Sequence, residues 1–183
     1  MKRSSIFILA LSIIFAVSCK KEVKQETGTT EAMKAKKVKM KLEPKSDSKV
    51  KGNIAFTEED GKIRMVAMVE GLEAGTHAIH IHEKADCSSA DGTSSGGHWN
   101  PTAQPHGKWG DTAGYHKGDI GNLTANEDGR AFLEFSTNEW CIGCGDKNKD
   151  ILGKAVIVHA GADDYGQPTG NAGGRISCGG IIE

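Results

Sequence analysis

The sequence has few aromatic residues and almost no excess charge of either sign. Aromatic side chains make up 5% of the 183 residues, and the formal net charge is −1 at pH 7. Such balanced charge gives no indication of nucleic-acid binding, so no nucleic-acid partner is expected. Long segments with helical periodicity are also lacking, which argues against a helical bundle. The 24 glycines instead favour a β fold with many turns.

The chain also lacks an apolar run that would span a bilayer comfortably. The apolar run of residues 6–17 is short and follows a basic pair, which is typical of a signal-peptide core. The segment 15–19 resembles a bacterial lipobox, with Ala16 in place of the usual Leu. We therefore expect residues 1–18 to be a lipoprotein signal peptide and Cys19 to be lipidated. The alternative is ordinary secretion with an incidental Cys19.

The segment after Cys19 is polar and charged and contains no aromatic residue. Residues 19–35 are therefore expected to be a flexible tether, and residues 36–183 a folded domain. Several acyl chains on one cysteine give stable anchoring. We expect an exported protein that is lipid-anchored to the bacterial cell envelope, at the outer membrane and facing the periplasm or the cell surface. The N-terminal lipid is the only membrane contact expected.

The folded part is a succession of short strand-like runs. They comprise the residues around Val38 and Met40 and the segments 49–56, 62–69, 120–125, 130–135 and 154–159. The dipeptides Asp60-Gly61 and Asp128-Gly129 separate two pairs of these runs and favour hairpins. Antiparallel strands at this spacing indicate an all-β sandwich or Greek-key barrel. The long segments 87–118 and 160–174 break the rhythm, and loops of this length are usually functional or disordered. Both carry candidate ligands.

Histidines provide the first candidate site. His80 and His82 lie two apart, so in a strand both side chains point to the same face, while Ile79 and Ile81 can enter the core. His159 follows a similar alternating run. Two imidazoles side by side on a rigid strand can chelate one metal ion. A surface histidine pair without a ligand is the alternative.

A second cluster lies in the first long loop and just after it. Three imidazoles and one carboxylate form a tetrahedral set suited to zinc. These residues are His98, His106, His116 and Asp119. Their spacing requires the loop to wrap around the ion, and an accidental histidine-rich loop is the alternative.

Four motifs together resemble one known family. The segments 75–83, 97–101, 115–122 and 170–180 are similar to the copper-site strand, the bridging-histidine motif, the end of the zinc loop and the C-terminal signature of the copper/zinc superoxide dismutases. The motifs occur in family order, and the resemblance extends over about residues 36–183. It implies an eight-stranded Greek-key barrel or sandwich, immunoglobulin-like, with two long functional loops.

The resemblance also implies two metal cofactors and their ligands. The implied copper ligands are His80, His82, His98 and His159. The implied zinc ligands are His98, His106, His116 and Asp119. His98 would be shared by both ions, and Asp163 would link His80 to His106 from outside the ligand set. The remaining histidine, His77, would be structural.

The activity implied by the resemblance is dismutation of superoxide to dioxygen and hydrogen peroxide. This reaction needs a carrier that one anion can both reduce and oxidise, and copper changes valence whereas zinc does not. Arg175 would dock the superoxide anion, because its cationic guanidinium presents a fork of donors. Thr169 would form the other side of the channel mouth. A copper-storage module and a structural domain that kept zinc are the alternatives, and neither explains why the copper set and Arg175 are both present.

The segment 159–175 departs from the family because it is short and contains no lysine. The lysine that steers the anion in the family is therefore missing or replaced from elsewhere, and Lys108 and Lys117 are the candidates. Cys87 and Cys178 match the disulfide of the family.

Cys141 and Cys144 do not belong to the family pattern. We expect a local disulfide between them, with a redox-active pair, a metal-handover site and an intermolecular bond as alternatives. A homodimer is a further expected partnership, although no interface pattern is legible in the sequence.

Lipidation of Cys19 can be tested by growing cells with labelled palmitate. We expect label in the mature protein and none in the Cys19→Ser variant, because the thiol is the attachment point. An unlabelled mature wild-type protein would show that the chain is secreted without a lipid.

Overall fold

The computed structural model describes residues 35–183, in which the regular structure is almost entirely β-strand. The strands are β1 (Lys36–Pro44), β2 (Lys51–Glu59), β3 (Lys62–Glu70), β4 (Gly75–His82), β5 (Gly121–Ala125), β6 (Arg130–Thr137), β7 (Ala155–His159) and β8 (Arg175–Gly180). In this range the helical structure is one 3-10 turn, Thr93–Ser95. None of the described residues forms a helix that is long and apolar enough to cross a membrane. The all-β prediction is confirmed.

Three predictions from the sequence concern the N-terminal segment. The signal peptide of residues 1–18, the lipidation of Cys19 and all but the last residue of the tether lie outside the described residues.

The eight strands close into one antiparallel barrel. Their order around it is β1-β2-β3-β6-β5-β4-β7-β8. Neighbours in sequence are mostly neighbours in space, but β3 pairs with β6 and β4 pairs with β7, which is a Greek-key arrangement. The eight-stranded barrel with two long loops is therefore present.

A two-residue turn sets the register of the β2–β3 hairpin. Asp60 and Gly61 both have positive φ, 50° and 72°, as a type I′ turn requires. Glu59 consequently pairs with Lys62, and the ladder continues to Lys51 and Glu70. The Asp-Gly signal in the sequence therefore marks a hairpin, because glycine tolerates the left-handed backbone that the turn needs.

The barrel interior is a continuous apolar core. Its fully buried side chains include Ile54, Phe56, Ile63 and Met65 from β2 and β3. Strand β4 contributes Ile79 and Ile81, and β7 contributes Val156 and Val158. The alternation of these residues along each strand places every second side chain inside.

Strand β4 has a second buried face. His80 and His82 point away from the core side chains, as the alternation predicts, but they are only 0% and 1% exposed. The long loops cover this side of the barrel. Polar residues at alternate positions normally indicate a solvent-facing strand surface. Here these side chains line the interior of a site.

Two disulfides are formed in the described domain. Cys87 and Cys178 join the first long loop to β8 across 91 residues of sequence, and Cys141 and Cys144 close a local loop. The apolar side chain of Ile157 packs with the first disulfide. This long-range bond therefore holds the first loop against β7 and β8.

The two disulfides should contribute unequally to stability. Replacing Cys87 and Cys178 with serine should lower the free energy of unfolding by about 4 kcal/mol, because a long loop loses its closure. The matched double variant at Cys141 and Cys144 should cost roughly 2 kcal/mol, since the loop is short. Guanidinium unfolding of the metal-free proteins, followed by tryptophan fluorescence, measures both values. Equal losses would contradict the loop-length explanation.

Candidate metal centre

The first long loop is attached to the end of β4 through backbone hydrogen bonds. The N–H of Ile81 donates to the carbonyl of Gly118 at 2.9 Å, and the carbonyl of Ile81 accepts the N–H of Trp99 at 2.8 Å. Gly118 N–H then donates to the Trp99 carbonyl at 3.0 Å. Because β5 pairs with β4 only as far as Ile79, the loop takes the place of β5 here. His98 is thereby set beside His82.

Gly118 leaves no room for a side chain at this junction. A Cβ atom there would lie 2.1 Å from the carbonyl oxygen of Ile81. Only glycine lets the two backbones approach this closely.

The structure brings the candidate ligands into two groups. The four-histidine group comprises His80, His82, His98 and His159. The histidine–aspartate group comprises His98, His106, His116 and Asp119. In each group one ligand atom per residue lies within 4.8 Å of all the others, and every member is buried. His98 belongs to both groups.

Carbonyl groups determine which nitrogen of two histidines carries the proton. Nδ1 of His82 lies 2.9 Å from the carbonyl oxygen of Gly96, and Nδ1 of His159 lies 3.2 Å from that of Gly173. A carbonyl oxygen can only accept, so each Nδ1 must be the N–H donor. In a neutral imidazole the lone pair is then on Nε2. Both Nε2 atoms are therefore available to bind a metal.

Asp163 determines which ring nitrogen carries the proton in two more histidines. Its Oδ2 accepts from Nε2 of His80 at 2.8 Å, and its Oδ1 accepts from Nε2 of His106 at 2.9 Å. These bonds place the lone pairs of His80 and His106 on Nδ1. One buried carboxylate thus orients a histidine in each group.

Five buried ring nitrogens of the site make no hydrogen bond with good geometry, although Nδ1 of His106 and Nδ1 of His116 lie 2.9 and 3.2 Å from oxygens of their fellow candidate ligand Asp119. Among residues 35–183, five buried side-chain nitrogen atoms lack a hydrogen bond: Nδ1 of His80, Nε2 of His82, Nδ1 of His106, Nδ1 of His116 and Nε2 of His159. Buried polar atoms are normally satisfied, and each exception needs an explanation. The lone pairs of these nitrogens converge within each group, which is the arrangement that a bound metal ion requires.

Burial keeps three of the histidines neutral. Desolvation lowers the pKa of His82 to about 2, of His159 to about 3 and of His98 to about 4. Burial alone would raise the pKa of Asp119, but the adjacent imidazoles of His106, His116 and His98 hold it well below its usual range. Neutral imidazoles and an ionised carboxylate are the protonation states that bind metals.

Arg175 lies at the edge of the four-histidine group. It is paired with His159 across β7 and β8. Its Nη1 donates to the carbonyl oxygen of Gly92 at 2.9 Å and to Oγ of Ser95 at 3.0 Å. The cation contributes to the lowered pKa of His82 and His159. These contacts hold a guanidinium beside the histidines.

Comparison with known proteins agrees with this geometry. The family model described as copper/zinc superoxide dismutase matches residues 50–181. The chain belongs to the copper/zinc superoxide dismutase family. A similar solved structure, titled as a crystal structure analysis of the clock protein EA4, has 35% sequence identity and a TM-score of 0.69. The alignment covers 80% of this chain and 94% of that chain.

Membership in this family establishes the activity and the cofactors. The protein is an oxidoreductase of the copper/zinc superoxide dismutase type, which dismutates superoxide. The donor sets fit the two metals: four imidazoles suit copper, and three imidazoles with a carboxylate suit zinc.

Several other predicted residues have clear positions. His77 is buried, with Nδ1 3.0 Å from the carbonyl oxygen of His159 and Nε2 2.9 Å from that of Glu73, so it joins β4 to the backbone beside a candidate ligand. Lys117 forms an ion pair with Glu139, which neutralises one of the two candidate steering cations. Lys108 and Thr169 are exposed.

Sequence reasoning missed the residues that hold the backbone of the site. Gln167 bonds to both the N–H and the carbonyl of His106, at 3.1 and 2.6 Å. Asn122 bonds to the N–H and the carbonyl of Asp163, at 2.8 and 3.0 Å. Single amide side chains such as these carry no distinctive spacing in the sequence, so only their position in the fold reveals these roles.

The Asp163→Asn variant should weaken zinc binding by 10- to 100-fold, as removal of such orienting groups usually does. An amide can accept from one histidine only, and its NH₂ would oppose the N–H of the other. Competition with a chromophoric chelator measures the affinity. Asp164→Asn is the control, because Asp164 is exposed and its carboxylate bonds only to Gly166 and Asn171. Equal zinc affinity in the Asp163→Asn and wild-type proteins would contradict the orienting role.

Proposed function

We propose that the four-histidine group holds copper and the histidine–aspartate group holds zinc, with His98 bound to both. The observation that carries this proposal is the convergence of unpartnered nitrogens in two adjoining groups that share one imidazole. Copper bound in the first group supplies the one-electron change of valence that dismutation requires.

His98 is suited to act as the proton carrier. Its Nδ1 lies 2.9 Å from Oδ1 of Asp119, so Nε2 is the nitrogen directed to the four-histidine group. In the proposed cycle Nε2 would take up one proton from solvent and pass it to the reduced oxygen species, and a second proton from solvent would complete hydrogen peroxide. The His98 backbone lies beside His82, and the neighbouring Trp99 N–H bonds to Ile81. These contacts fix the backbone of His98, and the Asp119 contact at Nδ1 would orient its imidazole while Nε2 exchanges a proton.

Arg175 is proposed to dock superoxide. Nη1 carries two N–H bonds, and both are directed to protein acceptors, Gly92 and Ser95. Nε and Nη2 remain as the donors for a small anion. Because Ser95 is buried and also donates to Gly92 at 2.8 Å, the guanidinium is oriented before the anion arrives, which lowers the cost of ordering it.

The cellular location is proposed on the sequence features of residues 1–19. Export and a lipid on Cys19 would anchor the domain at the bacterial cell envelope through a tether. Two disulfides in the folded domain support export, because disulfides persist in oxidising compartments. A second copy of the chain is proposed as a partner.

The Arg175→Lys variant tests the docking role. It should lower the second-order rate constant for superoxide by 10- to 100-fold, because a charge-assisted hydrogen bond contributes about 1.5–3 kcal/mol. Copper and zinc contents should stay at the wild-type level, since Arg175 binds neither ion in the proposal. Pulse radiolysis of the metal-loaded proteins measures the rate, and Lys147→Ala serves as an exposed-cation control. An inactive wild-type protein with both metals bound would overturn the proposed site.

A further inference from the structure

A carboxylate just after the end of β6 contacts the chain on both sides of a candidate zinc ligand. Oε1 of Glu139 accepts a hydrogen bond from the hydroxyl of Tyr115 at 2.6 Å, and Oε2 accepts one from Nζ of Lys117. Tyr115 and Lys117 are the two neighbours of His116 in the sequence. Glu139 therefore bridges the side chains that flank His116.

The next residue, Trp140, holds the same segment through its backbone. The indole N–H donates to the carbonyl oxygen of Lys117 at 2.9 Å, and Trp140 is only 1% exposed. Its ring also packs edge-on against that of Trp109, with the ring centroids 5.5 Å apart. Trp109 lies three residues after His106, so Trp140 contacts the first long loop near two candidate zinc ligands. We call Glu139 and Trp140 the clamp.

The clamp adds to the hydrogen bonds that the candidate ligands make with each other. The N–H of His116 donates to Oδ2 of Asp119 at 2.8 Å, and the N–H of Asp119 donates to the carbonyl oxygen of His116 at 3.1 Å. These bonds close a turn that includes Lys117, whose carbonyl group and ammonium group are both bound by the clamp. The clamp therefore attaches the turn to the end of β6. Groups that orient ligands in this way affect metal affinity.

The Cys141–Cys144 disulfide follows the clamp directly. The N–H of Cys141 donates to the carbonyl oxygen of Lys149 at 2.9 Å, and the carbonyl oxygen of Cys141 accepts the N–H of Ile151 at 3.1 Å. Ile151 is fully buried. The residue next to the clamp is therefore bound to the segment that leads into β7.

The second cysteine of the pair is bound to the same segment through a carboxylate. Oδ1 of Asp150 accepts the N–H of Gly143, and Oδ2 accepts the N–H of Gly145, both at 2.9 Å. These glycines are the neighbours of Cys144 in the sequence. The disulfide thus joins two points that are each bound to the residues before β7, and it limits the movement of Cys141 and of the clamp beside it.

We propose that Glu139 and Trp140 are positioning residues for zinc, and that the Cys141–Cys144 disulfide holds them against the first long loop. This inference rests on the proposed assignment of zinc to the histidine–aspartate group. The clamp acts through the backbone around His116 and is not itself part of the ligand set. Without the disulfide, the clamp would have to be ordered when zinc binds, and the cost of ordering it would lower the affinity.

A purely structural role for the clamp makes a different prediction. The ring of Trp140 also packs against Phe135 and Phe56, with ring centroids 5.1 and 6.4 Å apart, so it belongs to the barrel core. Loss of core packing would loosen the domain as a whole. A positioning role affects zinc alone, because within residues 35–183 the clamp makes no hydrogen bond to the candidate copper ligands on β4 and β7.

Three conservative variants test the proposal on the metal-loaded protein. Trp140→Phe removes the indole N–H but keeps an aromatic ring, Glu139→Gln replaces an acceptor oxygen with an NH₂ group, and the double variant Cys141→Ser/Cys144→Ser opens the loop. Each should weaken zinc binding by roughly three- to tenfold, which is the range that one hydrogen bond contributes. Competition with a chromophoric chelator measures the affinity. The control is Glu127→Gln, at an exposed position in the β5–β6 turn, which should bind zinc like the wild type.

Two further measurements separate positioning from core packing. Affinity for Cu(I), measured with a competing Cu(I) chelator at saturating zinc, should stay within about twofold of the wild type in every variant, because distant sites act independently. A triple variant that combines Trp140→Phe with both cysteine substitutions should bind zinc no more than about twofold more weakly than Trp140→Phe alone. The losses are not additive because both changes release the same contact.

Four results would overturn the proposal. Clamp variants or a double cysteine variant with wild-type zinc affinity would do so while leaving the zinc site in place. Equal losses of zinc and Cu(I) affinity would show that the clamp only supports the core, and additive losses in the triple variant would show that the disulfide acts separately from it. A wild-type protein whose zinc affinity is unchanged by Asp119→Ala would instead overturn the zinc assignment on which the proposal rests.

Discussion

The metal centre depends on one buried carboxylate that joins three separate parts of the chain. Asp163 lies in the loop between β7 and β8, yet its two oxygens accept hydrogen bonds from His80 on β4 and from His106 in the first long loop. Burial alone would raise its pKa, but the hydrogen bonds from the two histidines hold that pKa at about 2. It therefore remains an ionised acceptor at any physiological pH. Removing this carboxylate would therefore take away the orienting hydrogen bond of one histidine in each group.

The environment of Asp163 explains why this carboxylate is held so firmly. Asn122 fixes its backbone from both sides, and the Tyr165 N–H adds a hydrogen bond to Oδ1 at 2.8 Å. Gly170 lies directly over the carboxylate, where a Cβ atom would come within 1.9 Å of Oδ1. The loop that supplies Asp163 is therefore shaped around it. Buried charge of this kind is tolerated only when its hydrogen-bonding capacity is used. The same holds for the site as a whole, since the loops supply carbonyl groups that determine the protonated nitrogens of His82 and His159.

Much of the fold could be read from the chain. Alternation in β3, β6 and β7 and the Asp60-Gly61 turn predicted strands close to those observed, because side-chain period and turn chemistry are local properties. The predicted strand ends were less accurate. The run predicted at 49–56 corresponds to β2, which the structure gives as Lys51–Glu59, because strand ends depend on pairing with neighbouring strands. The burial of His80 and His82 was also not evident from the alternation, because the covering loops are distant in sequence.

The sequence by itself determined the all-β class and the two histidine clusters, since these rest on residue types at local spacing, and its motifs carried the family resemblance, which implied the role of Asp163. Only the tertiary structure decided which nitrogen of each histidine faces the other ligands, that Lys117 is paired with Glu139, and that Gln167 and Asn122 support the site. These features depend on contacts between residues far apart in the chain, and such contacts exist only once the barrel has closed.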